Sequence, residues 1–186
     1  MAKPASERER AIPALTEVFR THGYEGTSLA LITEATGLGK GSLYHAFPGG
    51  KHEMAAAVLA HIDAWFASNV FRPLREENPT HAIAAMFEAV TSYFHAGGRV
   101  CIVGVFALSD TRDQFAQAVR GYFVEWISAL TCALTKFGFE ADEAQARAED
   151  IVGGIQGALV MTRATNDPAH FARVIKRLKD RAHARR

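Results

Sequence analysis

GLGKGSLYHAFPGGK, residues 37–51, contains two apparent helix starts, at Lys40 and at Lys51, and each of them opens with a positive charge. A helix N-terminus already carries a partial positive charge, so it favours carboxylates and disfavours ammonium groups. No Asp or Glu occurs between Ala35 and His52. An anion from outside this stretch is therefore expected at both helix starts.

In the rest of the chain, apolar residues recur at three- and four-residue spacing, and no segment alternates between apolar and polar residues. This spacing is typical of amphipathic helices, so the chain is predicted to be all-α with about nine helices. Thr27 is the expected N-cap of the second helix, and Ser109-Asp110-Thr111 is expected to cap the long seventh helix. The predicted helices cover about residues 6–22, 28–36, 40–47, 51–71, 83–94, 100–108, 111–134, 142–165 and 169–183.

The second and third predicted helices are short and are joined by a glycine-containing turn, which is the layout of a helix-turn-helix. In this motif the N-terminal end of the second helix enters the major groove of DNA. Lys40 is the predicted base reader, and the other polar side chains are expected to hold phosphates while the small Gly41 allows close approach. The alternative is a helical hairpin with ordinary surface lysines. The DNA-contact candidates are Thr27, Ser28, Lys40, Gly41, Ser42, Tyr44, His45 and Lys51.

The block FRTHGYEGTS, residues 19–28, followed by residues 37–51, resembles the DNA-binding segment of the TetR/AcrR family of bacterial repressors. The turn Pro48-Gly-Gly-Lys51 is most similar to the LmrA/YxaF-type members. Two features depart from the family pattern: Tyr44-His45-Ala46 replaces an aromatic-aromatic-His or His-His sequence, and Ala30-Leu31 replaces a common acid. The resemblance implies a homodimer with a four-helix interface and an inducer pocket in the helical body. On this basis residues 1–50 are predicted to bind DNA, and residues 51–186 to bind ligand and dimerise.

Three glycines, Gly153, Gly154 and Gly157, lie inside an otherwise strong predicted helix, where each is less favourable than alanine. With Ala158 they form a ridge of small residues that would let another helix pack closely. The long helix before them is apolar on two faces, so that one face is available to a second subunit. A monomer that buries both faces internally is the alternative. The predicted dimer interface comprises Val119, Phe123, Ile127, Leu130, Gly153, Gly154, Gly157 and Ala158.

A set of large apolar side chains in the helical body is predicted to line a pocket for a small, largely apolar effector, because few charges accompany them. The alternative is that these side chains form an ordinary core. The candidates are Trp65, Phe66, Phe87, Phe94, Cys101, Phe106, Trp126 and Met161, with His95 and Arg163 as possible polar anchors.

Net charge is only +1, but residues 173–186 hold seven Lys/Arg against the single acid Asp180, which leaves −5 for the rest of the chain. We interpret this segment as a solvated basic helix end and tail in preference to a DNA-binding arm. The first residues lack the apolar core of a signal peptide. The longest apolar run, residues 100–108, is too short to cross a bilayer. We therefore expect a cytoplasmic protein without a membrane partner.

The sequence thus predicts a ligand-responsive transcriptional repressor that binds a palindromic double-stranded DNA operator as a homodimer. Cys101 and Cys132 show neither disulfide nor zinc spacing, and no catalytic motif is present, so no catalytic residue, metal or cofactor is expected. The fourth helix is expected to couple effector to DNA. The alternatives are a small helical ligand-binding protein without DNA function and a thiol-based redox sensor that uses Cys101.

Overall fold

The computed structural model describes residues 6–184, which form nine helices and no strand. The all-α prediction is confirmed. The helices are α1 (Glu7–Gly26), α2 (Leu29–Thr36), α3 (Lys40–Ala46), α4 (Gly50–Glu76), α5 (Pro79–Tyr93), α6 (Ile102–Ala107), α7 (Ala116–Phe137), α8 (Ala141–Ala164) and α9 (Ala169–His183). Residues 185 and 186, part of the predicted basic tail, lie outside the described residues, as do residues 1–5.

The described residues divide into two compact units. The first unit comprises residues 6–63 and Ile102–Val119, and the second comprises Ala64–Cys101 and residues 120–184. In the first unit α1 packs against α2, α3 and α6. Its core contains fully buried apolar side chains from all these helices: Leu15, Phe19, Ile32, Leu43 and Phe106.

In the second unit α8 and α9 pack along each other, and both contact the 3-10 turn His95–Gly97 that follows α5. Gly97 has a φ of +94°, and a Cβ added there would lie 2.5 Å from the Cβ of Phe171. Only glycine fits this position, since any side chain would meet both the strained backbone and the phenylalanine. This close approach brings the end of α5 into contact with α9.

Helix α4 contains a π-helical turn, Ala67–Phe71, between the regular segments Gly50–Phe66 and Arg72–Glu76. Pro73 has no N–H and cannot continue the normal hydrogen-bond pattern, so the helix widens before it. The prediction that this helix ends near Phe71 is wrong, because the wide turn accommodates the proline and the helix continues to Glu76. By length and composition α4 resembles a membrane span, but 44% of its most apolar window is buried inside the protein, as in many core helices.

Two predicted caps are also wrong. Ser28, not Thr27, is the N-cap of α2, and its Oγ accepts from Leu31 N at 3.3 Å. The Thr27 hydroxyl instead donates to the Gly23 carbonyl, because Gly23 breaks the helical backbone of α1 with a φ of +67°. Before α7, a 3-10 turn (Arg112–Phe115) replaces the predicted cap at Ser109-Asp110-Thr111.

Candidate nucleic-acid interface

Helices α2 and α3 are connected by a turn of only three residues. Gly37 ends α2 in the left-handed conformation with a φ of +69°, and its N–H donates to the Thr33 carbonyl. Gly39 is the N-cap of α3 and has no side chain that could satisfy the first amides of that helix. The start of α3 therefore presents backbone N–H groups that are open to an external acceptor.

Helix α3 divides its residues between core and solvent. Leu43 and the following Phe47 are fully buried, whereas Lys40, Gly41, His45 and Tyr44 are exposed, Tyr44 to 50%. Ser42 is half-buried. Since the buried side chains anchor α3, the predicted DNA-contact residues of this helix share a solvent-facing surface.

Of the two predicted contacts before α2, Thr27 is buried and Ser28 is exposed. Thr27 is 1% exposed and its hydroxyl donates to a carbonyl of the protein, so its side chain is not accessible to a DNA phosphate. Ser28 is exposed, and although its Oγ accepts from Leu31 N, its hydroxyl hydrogen can still be donated. Ser28 is thus the better placed of the two for a phosphate.

Lys51 is held by the end of α1. Its Nζ donates to the carbonyls of Tyr24 and Thr27, at 3.0 Å each, and lies 4.5 Å from the centroid of the Tyr24 ring. These are carbonyls at a helix C-terminus, where a cation is stabilised. Two of the three N–H groups of Lys51 are therefore occupied within the protein, and one remains for an external anion.

The start of α4 has an anion of its own, which the sequence analysis missed. Glu53 Oε2 accepts from the backbone N of Gly49 at 2.8 Å, and Glu53 Oε1 forms an ion pair with Arg8. These hydrogen bonds, first from Arg8 and then from Gly49, lower the pKa of Glu53 below its ordinary value. A carboxylate in the first turn of a helix is an ordinary capping signal, and it lies just beyond the acid-free stretch.

Tyr24 connects the helix-turn-helix to residues 102–115 of the same unit. Its ring makes edge contacts with Phe106 and Phe115, at centroid distances of 6.1 and 5.3 Å. The neighbouring Glu25 accepts from Thr111 N at 3.1 Å, and this interaction with Thr111 lowers the pKa of Glu25. Burial, then the charge of Glu25, raises the pKa of Tyr24. Aromatic contacts between segments so distant in sequence carry no local signal, and the sequence analysis missed them.

In the second unit, four of the predicted pocket residues meet in one aromatic cluster. Phe66 contacts Trp65, Phe94 and Trp126, at centroid distances of 5.1, 6.3 and 5.2 Å. Phe71, Tyr93 and Tyr122 also contact Phe66. Phe66, Phe94, Trp126 and Tyr122 are buried, so these rings pack edge-on or tilted against one another inside the second unit.

The cluster also contains a polar group. The indole N–H of Trp126 donates to the sulfur of Met86 at 3.5 Å, which is a weak acceptor. A stronger acceptor on a ligand would compete for this hydrogen.

The remaining pocket candidates are dispersed. Phe87 and Cys101 are buried in the second unit, and Met161 lies at its surface with 45% exposure. Phe106 belongs to the first unit, where it contacts Phe19 and Tyr24. The possible polar anchors His95 and Arg163 are exposed. In residues 6–184, no three or more His, Cys, Asp or Glu side chains are grouped so that they could hold a metal.

The predicted interface residues divide between two faces. Gly153 and Gly157 are exposed, and a Cβ added to either would have no described atom outside its own helix within 4 Å. Gly154 and Ala158 face inward, and a Cβ on Gly154 would lie 3.0 Å from Leu178. On the preceding helix Val119 and Leu130 are buried, while Phe123 and Ile127 are half-buried.

Two exposed valines extend the outward face and were missed by the sequence analysis. Val124 on α7 is 51% exposed and Val160 on α8 is 59% exposed. A groove of about 370 Å³ lies between these helices, lined by Val124, Ile127, Ser128, Thr131, Gln145 and Glu149. We refer to the exposed residues Val124, Gly153, Gly157 and Val160 as the outer face of α7 and α8.

Two family models match the chain. The model for bacterial regulatory proteins of the tetR family matches residues 12–58, and the model for the C-terminal domain of LmrA/YxaF-like transcriptional regulators matches residues 79–177. The HTH-type transcriptional regulator YxaF of Bacillus subtilis (strain 168) is 24% identical over 172 residues, which is 90% of each chain. LmrA of the same strain is 24% identical over 160 residues, or 83% of this chain and 85% of that one.

Solved structures share the fold. A TetR transcriptional regulator from Legionella pneumophila superposes with a TM-score of 0.83 at 19% identity, covering 97% of this chain and 99% of the other. The regulatory protein TetR from Rhodobacter sphaeroides gives a TM-score of 0.80 at 20% identity, covering 96% and 99%. At this level of identity the likeness concerns the fold.

Proposed function

Because the chain belongs to the TetR family of bacterial transcriptional regulators, with an LmrA/YxaF-like C-terminal domain, we propose that it is a ligand-responsive repressor. It binds a palindromic DNA operator as a homodimer and is released by a small, largely apolar effector. It acts in the cytoplasm, without a cofactor and without catalysis of its own.

The observation that carries the proposal is the exposed surface of α3. Lys40 stands at the open N-terminus of this helix, and Tyr44 and His45 follow on its solvent side. Lys40 donates to guanine O6 and N7, while Ser42, Tyr44 and His45 contact phosphates that set the register. Ser28 and the remaining N–H of Lys51 contact phosphates on either side.

The homodimer is supported by the outer face of α7 and α8. Exposed valines at 51% and 59% and two glycines without neighbours offer an apolar surface that allows close helix approach. A two-fold dimer formed through this surface contains two copies of α3, one for each half of a palindromic operator. The expected half-sites are then about 34 to 36 Å apart, or a close multiple of that distance.

The effector site is proposed at the aromatic cluster around Phe66. Helix α4 begins with Gly50 and Lys51 beside the helix-turn-helix and also contains Trp65 and Phe66 of the cluster. A ligand that displaces these rings shifts α4 and favours a dimer with a different distance between its two α3 helices. Such coupling amounts to about 1–3 kcal/mol in known systems.

Selection of bound fragments from random duplex DNA tests the DNA-binding proposal. We expect a palindromic motif whose affinity falls steeply with salt, because phosphate contacts release counterions. Lys40→Ala is expected to relax the base preference at one position of each half-site. Enrichment of no motif, or retention of the full base preference by Lys40→Ala, would contradict the proposal.

The effector is tested with apolar compounds that raise the melting temperature of the protein. Each such compound is titrated into the complex of the protein with its selected duplex. We expect release of the duplex by at least one compound, and substitution of Trp126 by Phe is expected to weaken compounds that carry a hydrogen-bond acceptor. Stabilising compounds that all leave the DNA affinity unchanged would argue against the effector role.

A further inference from the structure

Helix α3 has little stability of its own. It contains seven residues, its N-cap is a glycine, and Gly41 lies in its first turn. Short helices in water are marginal, and an interior glycine weakens them further. Leu43 is the fully buried residue within the helix, so its orientation depends on contacts at its ends.

Arg8, in the first turn of α1, contacts the C-terminal end of α3. Its Nη1 donates to the Ala46 carbonyl at 3.0 Å, and its guanidinium lies 4.6 Å from the centroid of the buried Phe47 ring. The last carbonyls of a helix lack partners within the helix, and a cation satisfies them well. This contact therefore links the end of α3 to a residue of α1 that lies 38 positions earlier in the chain.

Glu53, in the first turn of α4, accepts from the same guanidinium nitrogen, Nη1, that donates to the Ala46 carbonyl. While Oε1 pairs with Arg8, Oε2 accepts from Gly49 N, and Gly50 N donates to the Phe47 carbonyl at 2.9 Å. The turn after α3 is thus closed by hydrogen bonds from α1 and α4. Planar guanidinium geometry suits this role, because one side chain serves a carbonyl, a carboxylate and an aromatic face together.

We propose that Arg8 is a positioning residue for sequence readout, which acts through Glu53 and the Ala46 carbonyl to hold α3 at the angle that base contact requires. The proposal rests on the proposed DNA-binding function. Arg8 itself does not contact DNA in this role. The competing explanation is that Arg8, whose side chain is 41% exposed, binds a phosphate directly.

The two explanations predict opposite effects of Glu53→Gln on operator binding: a loss if Arg8 positions α3, and a gain if Arg8 binds phosphate. If Arg8 positions α3, then Arg8→Gln and Glu53→Gln both lower the ratio of operator to scrambled-duplex affinity, by about tenfold, the size of one lost base contact. If Arg8 binds phosphate, Arg8→Gln lowers the salt dependence by about one ion per subunit, whereas Glu53→Gln frees the arginine and strengthens binding. The double variant should lose no more than either single variant, since the residues act as a unit.

The probe is the duplex selected by the wild-type protein, with a scrambled duplex of the same length. Arg10→Gln is the matched control, because Arg10 is exposed in the first turns of the same helix and its replacement removes the same charge. It should change the affinity ratio by less than about twofold. Arg8→Lys keeps the charge and can donate from one nitrogen to both oxygens, but it lacks the planar group that lies over the Phe47 ring, so it should rescue the ratio in part.

Binding is measured well below the melting temperature of each variant, so that a purely structural loss does not enter. If Arg8→Gln and Glu53→Gln lower the melting temperature but keep the wild-type affinity ratio and salt slope, the positioning role is wrong. A wild-type protein that selects no duplex would instead refute the underlying DNA-binding function. The two failures are therefore distinguishable.

Discussion

Leucine in place of a glycine on the outer face of α7 and α8 should stabilise helix α8 and weaken the dimer. Leucine at Gly153 or Gly157 would point into open space in one protomer, because no described atom outside the helix lies within 4 Å of an added Cβ. Leucine also favours the helix over glycine by about 1 kcal/mol. Each substitution should therefore preserve or increase the helicity of the protomer.

The same leucine should disrupt a dimer that relies on close helix approach. An overpacked contact costs about 1–3 kcal/mol, and two-fold symmetry repeats every substitution, so each variant loses about 2–6 kcal/mol of association free energy. That range corresponds to a dissociation constant raised by a factor of about 30 to more than 10,000. The effect is large enough to convert a dimer into a monomer at ordinary protein concentrations.

Sedimentation equilibrium over a wide range of concentrations measures the dissociation constant, and far-UV circular dichroism measures the helix content. Gly154→Ala is the matched control, since its Cβ would lie 3.0 Å from Leu178 inside the protomer and away from the outer face. It should leave the dissociation constant unchanged. Wild-type association by both Gly153→Leu and Gly157→Leu would refute the reasoning, as would equal weakening by the control.

Three further predictions concern the stability of each unit. Lys51→Met removes two hydrogen bonds to carbonyls at the end of α1, so it should lower the free energy of unfolding by about 1–2 kcal/mol, measured by urea denaturation; an unchanged midpoint would contradict this. Gly97→Ala should lower the free energy of unfolding by about 2–4 kcal/mol, because its Cβ would lie 2.5 Å from Phe171 at a positive φ. A melting temperature equal to that of the wild type would contradict this prediction. Because the folded state lowers the pKa of Glu53, its stabilisation is complete above about pH 4.3 and is lost as pH falls through the lowered pKa. The destabilisation caused by Glu53→Gln at pH 7 should therefore shrink in acid, and a pH-independent difference between the two proteins would show that the carboxylate is not responsible.

The partners of Lys51 in the structure differ from the partner that the sequence predicts. Because no acid occurs between Ala35 and His52, the sequence predicts that the lysine at this helix start contacts a phosphate. In the structure Lys51 serves the carbonyl end of α1, and Glu53 supplies the anion for the start of α4. The carbonyl partners of Lys51 lie 27 and 24 residues before it, so only the folded chain shows them, whereas Glu53 is a local capping signal.

The helical class, the helix-turn-helix and the solvent side of α3 can be predicted from the sequence, because helix periodicity and glycine or proline stops act within a few residues. The folded chain was needed to show which of Thr27 and Ser28 caps α2, and which of Gly153 and Gly154 faces outward. It also shows that Phe106 packs with Tyr24 in the first unit. Gly154 meets Leu178 and Phe106 meets Tyr24, and neither spacing nor composition specifies such contacts between distant segments. The choice between Thr27 and Ser28 is local, but both residue types are suitable caps, so residue type does not decide between them.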